Sequence, residues 1–308
     1  MKSTRARLCA AVLVLCMLVL CLPAGAAAPN AESTLSIFYK NGEDFIAGAE
    51  FSVYRVAELT DYPTLRPCEN YEKLPVDYGD MTEDEWDELA LTLKGYALRD
   101  NLTPDASGYT DENGELVLEG LKNGLYLVLG GNCAKGRTVY TCEPFFILLP
   151  GYNAANDEWN PEVSAFPKSA ASDDGDGDYI SRRVLKVWTD DNDPDRPKDI
   201  VVDLLRDGVV YDSVILNDEN EWHYEWNKLS RRSDWIVVER DTPGYTSKLS
   251  LQTTTFSLQN SGSSPKSPPD KPPDENLPQT GLLWWPVPMM TAFGLLCILI
   301  GILRRRNA

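Results

Sequence analysis

The sequence predicts an all-β protein with two β-sandwich domains, the first carrying a helical insertion, and a C-terminal transmembrane helix. Three observations predict it. Short runs that alternate or stay apolar recur along the chain with Asp, Asn and Gly between them, which is strand and turn chemistry. A single stretch between these runs has helical spacing instead. One apolar run near the C-terminus is long enough for a bilayer core of about 30 Å.

The two ends read as signals. Lys2, Arg5 and Arg7 precede an apolar run from Leu8 to Leu22, and "AGAAAP" supplies small residues for cleavage after Ala26, so residues 1–26 read as a secretory signal peptide. Cys21 lies in "LVLC", which lacks the small residues of a lipoprotein site. At the other end the span 282–303 is followed by the basic tail 304–308, which stays cytoplasmic. Before the span stand a Pro-rich, charged stretch (261–276, wall-spanning linker) and "LPQTG" (277–281). LPxTG, a hydrophobic span and a basic tail in that order resemble the cell-wall sorting signal of Gram-positive surface proteins. The resemblance implies that a sortase reads Leu277 and Pro278, cleaves between Thr280 and Gly281, holds the Thr280 carbonyl as a thioester and passes it to an amine. The membrane is then a transient partner and peptidoglycan a lasting one.

Composition narrows the functions. The two removed ends hold six of the 29 basic residues and none of the 47 acidic ones, leaving 23 against 47, or −24. So acidic a chain is a poor partner for nucleic acid. The single histidine, His223, argues against histidine catalysis and a zinc site, and no phosphate loop, G-x-S-x-G or HExxH occurs. The expectation is a protein that is not an enzyme and has no metal and no cofactor. Of seven cysteines only Cys68, Cys133 and Cys142 reach the outside. Secretion permits a disulfide, and a hairpin in "CAKGRTVYTC" could set Cys133 opposite Cys142, leaving Cys68 over.

In chain order, the first domain (32–168) opens with two strands around a Gly-containing turn in "STLSIFYKNGEDFIAGAEFSVYRVAEL". Thr82 and Glu85 form a capping box, and Trp86, Leu89, Leu93 and Tyr96 give the following helix one apolar, core-facing side. "TDENGELVLEGLKNGLYLVLGG" and "TVYTCEPFFILLP" add strands, and "WNPEVSAFPK" closes the domain as an edge strand. A linker, "SAASDDGDGD" (169–178), is too polar to bury a core. The second domain (179–260) is a small sandwich of runs such as "RRVLKVW", "DIVVDLLRDG", "DWIVVERD" and "TTTFSLQN".

Three polar residues of that domain fall where alternation predicts the interior. Lys186 shares a face with Val184 and Trp188, Glu239 with Trp235 and Val237, and Asn260 with Phe256 and Leu258. The residues themselves leave two readings: a buried ion pair with an amide partner, or chemistry. In the second, a neutral lysine attacks the Asn260 carboxamide while Glu239 shuttles protons to departing ammonia.

"VLKVWTDDNDPDRPKDIVVDLLRDG", "WHYEWNKL", "VVERDTPGY" and "FSLQN" together resemble the Cna B-type domain over almost its whole length. That resemblance implies an Ig-like, prealbumin-like sandwich with an intramolecular isopeptide bond: Lys186 as nucleophile, Asn260 as acceptor, Glu239 as catalyst. The first domain resembles the N-terminal domain of backbone pilins through "IAGAEFSVYRVA" and "TDENGELVLEGLKNGLYLV". Lys40 and Glu143 could serve there as nucleophile and catalyst, but only Ser, Ala and Asp173 or Asp174 follow "FPK", so no bond is expected in it. "WNPEVSAFPK" resembles the pilin motif W-x3-V-x-V-Y-P-K, with Trp159, Val163, Pro167 and Lys168 in register and with Ala165 and Phe166 departing from it.

The expectation is therefore a secreted, cell-wall-anchored shaft subunit of a sortase-assembled pilus, Thr280 of one subunit joined to Lys168 of the next. Its partners are a sortase, other pilin subunits and peptidoglycan. The alternative is a monomeric LPxTG-anchored adhesin binding a host surface or matrix protein, although the sequence shows no ligand site for one.

Overall fold

The computed structural model describes residues 32–60, 64–72, 81–173, 177–189, 196–240, 242 and 244–262. The expected signal peptide, the sorting motif, the span and the basic tail lie outside the described residues, as does the Pro-rich stretch beyond Gly262. Among the described residues no helix is long and apolar enough to cross a membrane. All of them fall within one compact unit.

The principal elements of the N-terminal part are β1 (Ser33–Phe38), β2 (Glu50–Leu59), α1 (Glu83–Arg99), β3 (Glu115–Leu121), β4 (Gly124–Gly130), β5 (Cys133–Lys135), β6 (Thr138–Cys142), β7 (Phe145–Leu149), β8 (Glu162–Ala165) and β9 (Ser169–Asp173). A sheet in the order β8-β1-β3 faces a larger one in which β7, β4 and β2 are consecutive neighbours. Between them Leu35 and Ile37 of β1 meet Phe51 and Val53 of β2 and Tyr126 and Val128 of β4. Strand β4, "GLYLVLG", is buried at every position. A half-exposed strand would alternate, so something must cover its other face. That cover is α1, whose Ala90, Leu93 and Ala97 pack on Leu125, Leu127 and Leu129.

The helix starts where the sequence places it. The Thr82 hydroxyl accepts from the Glu85 amide, and the Glu85 carboxylate accepts from the Thr82 amide at 2.9 Å. Trp86 packs edge-on against Phe146 of β7, ring centroids 5.3 Å apart. The sequence nevertheless showed only half of this helix. Leu91, Tyr96 and Leu98 pack into the core of the second sandwich, and Thr92, Lys94 and Gly95 are buried as well. A glycine inside a helix costs about 1 kcal/mol relative to alanine. Gly95 has a structural reason: a Cβ there would stand 2.9 Å from Val238 Cγ2.

The second sandwich consists of β10 (Tyr179–Thr189), β11 (Asp199–Arg206), β12 (Val209–Asn217), β13 (His223–Ser230), β14 (Trp235–Glu239), β15 (Tyr245–Gln252) and β16 (Thr255–Gly262). Its sheets run β13-β10-β16-β15 and β12-β11-β14. The first and last strands, β10 and β16, are parallel neighbours. Val184, Phe256 and Leu258 meet Val202, Leu204 and Val237 in the core. Strand β14, "WIVVE", is also buried throughout, because α1 lies against it.

Two expectations are corrected here. The segment expected to be a linker from 169 onward begins as β9, antiparallel to β6 with Cys142 opposite Ser169 and Thr138 opposite Asp173, so "WNPEVSAFPK" is not the last strand of the first part. The strand lies at the edge of its sheet, where one side of the ladder is paired and small polar residues such as Ser169 and Ser172 are tolerated. The disulfide is corrected as well. Cys133 and Cys142 are buried free thiols, and the hairpin register sets Cys133 against Tyr140, not Cys142. Cys68 is also free.

Candidate functional site: a buried triad and an exposed lysine

Sandwich pairing brings Lys186, Glu239 and Asn260 together from three strands. On β10 and β16 the register sets Lys186 against Leu258 and Trp188 against Asn260. The lysine and the amide therefore point from neighbouring strands into the same interior, two residues apart along the sheet. Glu239 ends β14 in the facing sheet, opposite Val202 of β11. Its carboxyl reaches across the sandwich to both. Lys186 Nζ lies 2.6 Å from Glu239 Oε2, and Asn260 Nδ2 donates to Oε1 at 2.8 Å.

The site is dry. The Lys186 and Glu239 side chains are 0% and 2% exposed, and Asn260 is 0% exposed. Trp188 lies against the amine, 4.6 Å from Nζ to the ring centroid, and is itself packed edge-on by Trp222 and Tyr245. Thr242 donates to Oε1, and the Ser247 hydroxyl stands 3.4 Å from Oε2. Asn260 Oδ1 is buried with no hydrogen-bond partner among the described residues. A buried ion pair of this kind is seldom a net source of stability, because desolvating two charges costs several kcal/mol per ion.

What the geometry can do follows from the carboxyl's place between two nitrogens. One oxygen touches the amine that would lose protons, the other the amide nitrogen that would gain them. Proton transfer from Lys186 to Glu239 frees a lone pair on Nζ. Attack on the Asn260 carboxamide carbon forms the C–N bond, and protonation of Nδ2 through the same carboxyl lets ammonia leave. The atoms balance as one amide formed, one amide broken and one ammonia released.

Lys168 stands in contrast. β8 pairs parallel with β1, aligning Leu35 with Val163 and Ile37 with Ala165. β9 belongs to a different sheet, with β6. Phe166, Pro167 and Lys168 cross between the two without strand pairing, consistent with the missing N–H of proline. The Lys168 side chain is 88% exposed, and Glu83 Oε1 approaches it at 3.9 Å. The chain on either side is held: Phe166 stacks on Phe38 with centroids 5.3 Å apart, and Ser169 donates to Lys40 O at 2.8 Å and accepts from Asn41. Ala165, in place of the motif's valine, is buried in the core. Val163 packs partly against that core, and Trp159 leans on Tyr152. Lys40 and Glu143 are both exposed, unlike the buried arrangement around Lys186.

Sequence reasoning missed a buried carboxyl on the other face of the Glu239 sheet, since Asp203 is the register partner of Val238 and not of Glu239. Asp203, on β11, is 4% exposed and is bonded by Arg240 (2.9 and 3.0 Å) and by Ser213. Burial pushes its carboxyl up, but hydrogen bonds from Arg240 and Ser213 outweigh burial and hold it below the usual range. A carboxyl lowered in the folded state adds stability above its unfolded pKa of about 3.9, and that stability disappears as pH falls through the lower folded value. Urea unfolding of the chain carrying Glu239→Ala should thus show stability declining below about pH 4, less steeply once Asp203→Asn is added. Identical pH slopes with and without Asp203→Asn would contradict this role.

Fold and site together define a β-sandwich module with a lysine–carboxyl–amide triad sealed in its core. Residues 182–261 match the family model described as the Cna protein B-type domain, which takes in all three triad residues. No curated protein matches the chain. Among solved structures the chain is similar to a single B repeat unit of the collagen binding surface protein Cna of Staphylococcus aureus, at 15% identity over 76% of this chain and 100% of that one, TM-score 0.27. It is similar to the shaft pilin SpaA from Lactobacillus rhamnosus GG, at 16% identity over 74% of this chain and 97% of that one, TM-score 0.27. A third is the full-length major pilin SpaD from Corynebacterium diphtheriae, at 15% identity over 76% of this chain and 64% of that one, TM-score 0.30.

Proposed function

We propose that this protein is a cell-surface shaft subunit, secreted, polymerised by a sortase through Thr280 and Lys168, anchored to the cell wall, and stiffened by an amide between Lys186 and Asn260. The contrast between Lys186 and Lys168 carries the reading. Lys186 is sealed against the carboxyl that would make it a nucleophile, and the same carboxyl holds the Asn260 amide it would attack. Lys168 is 88% exposed at a strand crossing, where an incoming acyl-enzyme can reach it. Beside Glu83, an open groove lined by Trp86, Asp87, Leu125, Phe145 and Phe146 offers the visitor an apolar surface. An amide between β10 and β16 would join adjacent parallel strands at the two ends of the module, so tension applied along the chain would bypass most of the sandwich.

Peptide mapping of material extracted from the cell surface tests the intermolecular link. The expected finding is a branched peptide in which the Thr280 carbonyl is joined to Lys168 Nζ, from molecules that begin near Ala27. Surface material in which Thr280 is still followed by "GLLWWPVPMM" would defeat the proposal. A Thr280 carbonyl joined only to peptidoglycan would leave the monomeric adhesin as the account.

A further inference from the structure

We propose that α1, a helix of the N-terminal part, is a positioning element for cross-linking in the second sandwich, with Thr92 and Arg99 holding the strands that carry Glu239 and flank Asn260. The inference rests on the isopeptide reading above. β14 is the edge strand of one sheet and β15 the edge strand of the other, and the Ser247–Glu239 contact shows that these edges meet beside the triad. An edge strand presents unpaired backbone groups. α1 covers both edges.

The contacts are specific. Thr92 accepts from the Leu249 backbone N–H at 2.8 Å while donating to its own helix at Glu88 O, so a single hydroxyl ties helix to strand with both of its capacities used. Leu249 lies two residues from Ser247, whose register partner is Asn260. Arg99 Nη1 donates to the backbone carbonyl of Glu239 itself at 3.2 Å. Lys94 pairs with Asp234 at 2.6 Å, just before β14 begins. Gly95 lets the helix approach β14 closely, since a Cβ there would meet Val238 at 2.9 Å. These contacts fall on strand backbone and on Asp234, not on the Lys186 amine, the Glu239 carboxyl or the Asn260 amide. They act on the backbone from which Glu239 projects and on the strand beside Asn260.

The consequence is an order of events. The helix precedes the second sandwich in the chain and is made first, so it is available when β14 and β15 form. Placing a carboxyl correctly between an amine and an amide requires its strand to be held, because small misplacements of reacting groups lower rates steeply. Helix docking thereby licenses the chemistry, and the amide then locks a sandwich already joined to its neighbour.

The test follows cross-linking in time. The full chain is made by cell-free translation in mild detergent, quenched at intervals, and its intact mass read. Wild type should lose about 17 Da, the mass of ammonia, as the amide forms. Thr92→Val, nearly isosteric without the hydroxyl, and Arg99→Gln should each slow that loss by about tenfold, and Thr92→Ser should restore it. The same substitutions placed in the Glu239→Ala chain, where no bond forms, report the folded fraction by tryptophan fluorescence. Slow cross-linking in chains that are fully folded by that measure, with rescue by serine, supports the proposal. Wild-type rates in Thr92→Val and Arg99→Gln, or a slowing that merely tracks the unfolded fraction, would overturn it. A wild type that never loses mass refutes the isopeptide reading itself, a separate outcome.

Discussion

The folded wild-type chain should weigh about 17 Da less than its sequence, and the Glu239→Ala chain should weigh the full amount, because amide exchange expels one ammonia and the Glu239 carboxyl contacts both nitrogens. The effect on stability should be large. Joining residues 186 and 260 restricts the unfolded chain, and by analogy with a disulfide closing a loop of this length the gain is about 4 kcal/mol. In a unit of this size that corresponds to roughly 10–15 °C in Tm. Lys186→Met, which cannot attack, should lose that much. Glu239→Ala should lose more, since it leaves a buried amine without its counter-ion, a change that costs about 3–5 kcal/mol. Intact mass spectrometry and calorimetry on the same samples decide the matter. A full sequence mass in the folded wild type would leave Lys186 and Glu239 as an ion pair with an amide partner.

The second large effect concerns Lys168. Intermolecular amides survive boiling in detergent and reductant, so surface extracts should give a ladder of high-mass bands. Lys168→Ala should collapse the ladder to monomer while leaving the Lys186 cross-link untouched, because Lys168 is 88% exposed and its contact is a 3.9 Å approach to Glu83 on the surface. Removing an exposed pair of this kind changes stability by roughly 1 kcal/mol at most. Lys168→Arg is the stricter variant. It keeps the charge, but a guanidinium stays protonated and does not attack a thioester at working pH. Normal polymerisation of either variant would assign the linkage to another lysine. A wild type that forms no ladder beside its own sortase would favour the anchored monomer, for which the exposed Val209, Tyr211 and Ile215 on edge strand β12 offer a contact surface.

Much of the site was legible because it rests on local periodicity. In a strand, alternate residues share a face, so Lys186 between Val184 and Trp188, and Asn260 beyond Phe256 and Leu258, could be assigned to the interior without knowing the pairing. The capping box at Thr82 was legible for the same reason, since its partners lie three residues apart. Gly95 was a sign that went unused: a helix-interior glycine asks for a close neighbour, and the neighbour is Val238.

By itself the sequence determined where the one α-helix among the described residues begins, and that the lysine, the carboxyl and the amide of the second sandwich face inward. Only the tertiary structure decided what those faces meet. It set Trp188 beside Asn260 across parallel strands, laid α1 against both sandwiches, buried β4 and β14 on both sides, recruited Ser169–Asp173 to β6, and left Cys133 opposite Tyr140. The physical reason is that periodicity records whether a face is covered, through local alternation of apolar and polar residues. Which distant segment covers it depends on strand register and on packing between elements far apart in the chain, and no short window of sequence contains both partners.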